Sequence, residues 1–90
     1  MMYTLGKEVN YDKWFVEQEQ LAKAKGGTVF ETFDEAKDRA VNNNSKQDSR
    51  EEYYAVYQVD ATLDDCRYEG GLLSLRTHRA IIKKVFSQRG

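Results

Sequence analysis

Apolar residues along this chain switch between two periods, and the switches mark the elements. Tyr11, Trp14, Phe15, Leu21 and Ala22 recur at helical spacing, with Gln18 interrupting the stripe. Asn10 suits the N-cap and Gly26 the stop, so the pattern predicts a helix over 11–25. Phe33, Ala36, Ala40 and Val41 form a second stripe, predicting a helix from about 33 to 42. Thr32-Phe33-Asp34-Glu35 opens it as a capping box: the Thr32 hydroxyl accepts from the Glu35 N–H, and the Glu35 side chain reaches back. Asp34 and Glu35 also suit the positive end of the helix dipole.

Strand-like segments lie between and after these stripes. Residues 2–5 and 28–30 are short candidates. Residues 53–61 are the strongest: Tyr53, Ala55, Tyr57, Val59 and Ala61 alternate with Tyr54, Val56, Gln58 and Asp60. Apolar side chains on both faces place this strand inside a sheet. Residues 42–52 hold no apolar side chain and predict an exposed loop. Residues 60–71 are acid-rich, end in Gly70-Gly71 and predict a second loop. The final segment has two readings. A helix groups Ile81, Ile82, Val85 and Phe86; a strand puts Ala80, Ile82, Lys84 and Phe86 on one face. β-Branched content and the preceding glycine pair favour a strand over 80–86. The resulting expectation is an α+β fold in β-α-β-α-β-β order, with two helices on one face of a small, mainly antiparallel sheet. No linker divides the chain, so residues 1–90 are expected to form one domain.

Composition narrows the setting. No apolar run reaches the ~18 residues of a membrane span, and the first residues lack the pattern of a signal peptide. Cys66 is the only cysteine, so an internal disulfide and a cysteine-rich zinc site are both excluded. These features predict a cytoplasmic, reducing environment. Cys66 itself reads as a small buried thiol, because nothing in the sequence brings His78, the only histidine, beside it.

Charge is unevenly spread. Residues 1–75 hold all fifteen acids and nine bases; residues 76–90 hold Arg76, Arg79, Lys83, Lys84 and Arg89 and no acid. An anionic partner would therefore meet the C-terminal segment. With His78 in the same run, and Tyr53, Tyr54 and Tyr57 on a strand that could pair with it, nucleic-acid binding is one reading. It needs the tyrosines to face outward; an alternative is that Lys residues guard a sheet edge. Asp60, Asp64, Asp65 and Glu69 form the other charged cluster. Their spacing does not match an EF-hand loop and Arg67 lies among them, so no metal site is expected. No phosphate-binding glycine loop, nucleophile elbow or HExxH motif is present, and no cofactor is expected.

Six tyrosines, four phenylalanines and Trp14 supply interface anchors instead. Trp14 is the first of these to test, although its place on an apolar stripe also suits a core. The acidic helices and basic end could pair between two copies, which favours a homodimer. The stretches Val29–Ala36, Tyr54–Ala61, Leu72-Leu73 and Ile81-Ile82-Lys83 resemble a pattern in small uncharacterised phage and bacterial proteins: a strand and capped helix, a Tyr-rich strand and a closing strand. The resemblance covers roughly the last two-thirds of the chain and implies an accessory protein of a phage or mobile element. The functional expectation is a non-catalytic module that binds a protein, in that setting a host protein, using Trp14, Tyr54, Arg76, His78, Arg79, Lys83 and Lys84. The alternative is a nucleic-acid-binding protein that uses the basic end.

Overall fold

The computed structural model describes residues 2–7, 28–46, 53–76 and 81–88. Strands β1 (Met2–Lys7) and β2 (Thr28–Phe30) are followed by helix α1 (Phe33–Asn44) and strand β3 (Tyr54–Val59). A 3-10 turn (Leu63–Asp65) then leads into β4 (Cys66–Glu69), β5 (Leu72–Leu75) and β6 (Ile81–Ser87). The strands form one sheet in the order β4-β5-β2-β1-β3-β6, with antiparallel neighbours throughout.

This corrects the expected fold class. The described residues hold one helix and six strands, mostly sheet, rather than two helices on one face of a smaller sheet. The expected helix over 11–25, with Trp14, lies outside the described residues. The extra strands come from the segment read as an acidic loop and from Leu72–Leu75. Cys66–Glu69 does alternate apolar and charged side chains, but over only four residues within an acid-rich stretch that alternation was read as loop.

Strand pairing sorts the side chains into two buried faces. Thr4 opposes Tyr57 and Gly6 opposes Ala55, whereas Leu5 opposes Val56. One face therefore collects Met2, Val29, Ala55, Tyr57, Val59, Leu75 and Ile81 in a contiguous apolar cluster. The other collects Phe30 and Val56 with Ala36 and Ala40 of α1, flanked by Tyr3, Leu5, Phe33 and Phe86. A sheet with apolar residues on both sides cannot be buried by a helical layer on one of them. β3 is interior, between β1 and β6, because its own alternation serves both clusters.

Helix α1 starts where its cap predicts. Thr32 is extended (φ −123°, ψ 152°), and its hydroxyl accepts from the Glu35 N–H at 3.2 Å. The reciprocal contact differs from the expected box: the Thr32 hydroxyl itself donates to Glu35 Oε1 at 3.0 Å. Ala36 and Ala40 face the sheet, and their small side chains let the helix approach closely. Phe33 wedges edge-on between Tyr3 (6.0 Å) and Phe86 (6.4 Å), a favoured arrangement of aromatic rings.

The helix extends beyond its expected end. Asn42, Asn43 and Asn44 form its last turn rather than a loop. Asn44 is 1% exposed, and its carboxamide explains the extension. Its Nδ2 donates to the Tyr54 carbonyl (3.1 Å) and to Gln88 Oε1 (2.6 Å), while its Oδ1 accepts from the Tyr54 N–H (2.6 Å). One side chain thus ties α1 to the start of β3 and the end of β6. Buried polar atoms are costly without partners, so removing this amide strands the groups it serves. Asn44→Ala is expected to lower stability by about 2–3 kcal/mol. Urea denaturation would measure this; a loss below about 0.5 kcal/mol would show that the clamp is not needed.

Candidate interaction surface

The two edges of the sheet are built differently. β6 forms one edge. Its pairing with β3 shifts register twice, which leaves Val85 and Ile82 as extra residues, and it carries Lys83 and Lys84. Bulges and lysines are features that discourage a further strand from pairing. β4 forms the other edge, with the sequence Cys-Arg-Tyr-Glu and a regular register against β5.

A two-residue turn sets that register. Gly70 (φ 55°) and Gly71 (φ 82°) both have positive φ, as a type I′ hairpin turn requires. A Cβ at either position would meet nothing within 4 Å, so backbone conformation rather than space calls for glycine. The turn pairs Glu69 with Leu72, Tyr68 with Leu73, Arg67 with Ser74 and Cys66 with Leu75.

Hydrogen-bonding direction alternates along an antiparallel ladder. A type I′ turn closes with a bond between its first and last residues, here Glu69 and Leu72. At the far end of the hairpin, the Arg76 N–H donates to the Asp65 carbonyl at 2.9 Å. Residues 65, 67 and 69 therefore direct their backbone groups inward to β5. The N–H and C=O of Tyr68 point outward, past the edge.

The start of β4 is held firmly. Asp65 Oδ2 accepts from the Thr62 N–H (2.7 Å) and hydroxyl (3.0 Å), and Cys66 N–H donates to the Leu63 carbonyl. Cys66 is buried, and its thiol donates to the Thr62 carbonyl at 3.4 Å.

Side chains on β4 divide by face. Tyr68 sits beside Leu73, which packs on the cluster containing Val29, yet Tyr68 is 73% exposed. Leu63 and Leu72 are also exposed near this edge. On the opposite face, Arg67 and Glu69 form an exposed ion pair at 3.0 Å. The pair is worth little to stability in water.

Of the residues singled out in the sequence, those among the described residues do not converge. Trp14, His78 and Arg79 lie outside the described residues. Tyr54 is half-buried on the α1 face, with its backbone tied to Asn44. Arg76 is exposed at the end of β5, where its guanidinium donates to the Asp64 carbonyl at 3.3 Å. Lys83 and Lys84 lie on β6 and point to opposite faces, opposite Gln58 and Tyr57. β2, β1 and β3 separate β5 from β6, a span of about 19 Å at ordinary strand spacing. Tyr57 is buried and Tyr53 half-buried, so the tyrosines do not present the outward stacking surface that nucleic-acid binding would need.

Two shallow clefts flank Arg39, whose guanidinium lies 5.7 Å from the Phe30 ring centre. One, about 200 Å³, reaches Leu5, Asn43 and Tyr54; the other, about 290 Å³, reaches Glu35, Asp38 and Asn42. Both fall at or below the size of small-molecule sites, which start near 300 Å³. Among the described residues, no three His, Cys, Asp or Glu side chains gather as a metal site would need, and no helix is long and apolar enough to cross a membrane.

Sequence reasoning counted Arg67 and Glu69 as charges of an acidic loop and passed over Tyr68. The available signal was Gly70-Gly71, a dipeptide suited to a two-residue hairpin, flanked by residues that alternate in polarity. No family model, curated protein or solved structure matches the chain. The candidate surface is therefore defined by geometry alone. Because positive φ penalises a Cβ, Gly71→Ala is expected to cost about 1–2 kcal/mol. Thermal unfolding would measure the loss, and an unchanged midpoint would rule out the strained turn.

Proposed function

We propose that this chain is a non-catalytic protein-binding module that docks through the β4 edge. The observation that carries this reading is Tyr68: a large aromatic side chain, 73% exposed, on an edge strand whose outward backbone groups have no strand beside them among the described residues. Strand addition to an open edge draws affinity from main-chain hydrogen bonds and specificity from neighbouring side chains. Tyrosine supplies contact area at low entropic cost and is favoured at interface centres. The guarded β6 edge supports the assignment by contrast, because the chain blunts one edge and leaves the other regular.

The resemblance to phage and mobile-element proteins suggests a host protein as the partner. The lone buried thiol suits a reducing compartment such as the cytoplasm. Affinity capture from cells that express the chain tests the docking surface. Wild-type and Ile82→Lys baits are expected to retain the same partner, whereas Tyr68→Lys is expected to weaken capture by about 30-fold, the scale of an interface hot spot. Equal capture by the Tyr68→Lys bait would overturn the assignment. Tyr68 and Ile82 are both exposed, so neither change disturbs the core.

A further inference from the structure

We infer that the β4 edge is self-complementary and pairs with a second copy of this chain, joining two six-stranded sheets into one. The inference rests on the reading of β4 as a docking strand; the second copy occupies that edge when no host protein does.

Two identical strands that meet across a two-fold axis run antiparallel, and each residue contacts its symmetry counterpart. Centring the axis on Tyr68 puts Tyr68 opposite Tyr68 of the second copy, and Arg67 of each copy opposite Glu69 of the other. The charges match in both directions. Arg67 and Glu69 share one face and already meet at 3.0 Å within one copy, so exchanging partners across the axis requires little movement. Opposite charges facing each other across strands are stabilising, and like charges are destabilising.

The backbone agrees with the same register. Tyr68 directs its N–H and C=O outward, so the two Tyr68 residues exchange both hydrogen bonds, as an antiparallel hydrogen-bonded pair does. The apolar face agrees as well. A row runs from buried Val29 through half-buried Leu73 to exposed Tyr68. The second copy continues that row from Tyr68 back to its own Val29. Helix α1 packs mainly over β1, β2 and β3. β4 is only four residues long, so this is a small interface of the weak, transient class.

Charge reversal tests the register. Arg67 and Glu69 side chains are 59% and 54% exposed, so substitutions there leave the core intact, and circular dichroism would confirm the fold. Sedimentation velocity from about 1 µM to 1 mM is expected to show wild type moving toward twice its 10.5 kDa mass as concentration rises. Arg67→Glu and Glu69→Arg, each alone, set like charges in opposition twice and are expected to weaken self-association by about tenfold or more. Mixing those two variants restores both matches, so the mixture is expected to dimerise at least as well as wild type. A wild-type monomer throughout the range, or a dimer indifferent to both reversals, would overturn the inference. These results are separable from failure of the docking reading. A monomer whose capture of another protein still requires Tyr68 removes only the second copy as occupant; a monomer whose captures ignore Tyr68 removes both.

Discussion

The register imposed by two glycines with positive φ governs the surface on which the functional reading depends. With Gly70 and Gly71 at the corner, Glu69 must face Leu72, and each earlier residue of β4 follows in turn. Because side chains alternate strictly along a strand, a slip of one residue would reverse the entire arrangement. Arg67 and Glu69 would move to the Leu73 and Leu75 side, and Tyr68 would leave the apolar row. The turn therefore determines which charges share a face, which side chain prolongs the core, and which backbone groups face outward.

The rest of the fold holds that hairpin at the margin of a well-buried sheet. Both faces of β3 are apolar, and α1 covers one with two alanines and Phe33. Asn44 adds direction to this non-directional packing. Its amide serves both backbone groups of Tyr54 and the side chain of Gln88, which sets where the helix ends over the sheet. Hydrophobic contact alone would tolerate small shifts of α1; a buried amide with three short partners tolerates fewer. The order of strands then separates the two edges. Among the described residues, the bulged, lysine-bearing β6 ends the sheet on one side, and the regular β4 forms the other edge with no strand beside it.

The parts of this structure legible in the sequence were those whose local pattern and tertiary role agree. Thr32 and Glu35 marked the start of α1, residues 28–30 and the alternating Tyr-rich segment formed strands where expected, and Ile81–Ser87 took the extended reading of an ambiguous stretch. The fold class was misread because β4 is four residues long with one of them buried, so its Cys-Arg-Tyr-Glu alternation was lost among the acids around it. Edge strands are often of this kind, since their position rather than their burial makes them strands. Asn44 was hidden for a related reason: an asparagine triplet is polar by composition, and only the distant Tyr54 and Gln88 make its last member a core residue. The candidate surface was obscured by the same bias. Arg67 and Glu69 counted as charges in a loop, and among the described basic residues that drew attention Arg76 follows β5 while Lys83 and Lys84 lie on opposite faces of β6.

Tyr68 offers its backbone to a neighbour outside the chain, and amide hydrogen exchange read residue by residue would reveal it. In dilute protein the Tyr68 N–H should exchange quickly while those of Arg67 and Glu69, bonded to β5, exchange slowly; raising the concentration should slow Tyr68 and leave the other two unchanged. Slow exchange at Tyr68 in dilute solution, or a rate that ignores concentration, would mean that this edge has no outside partner strand.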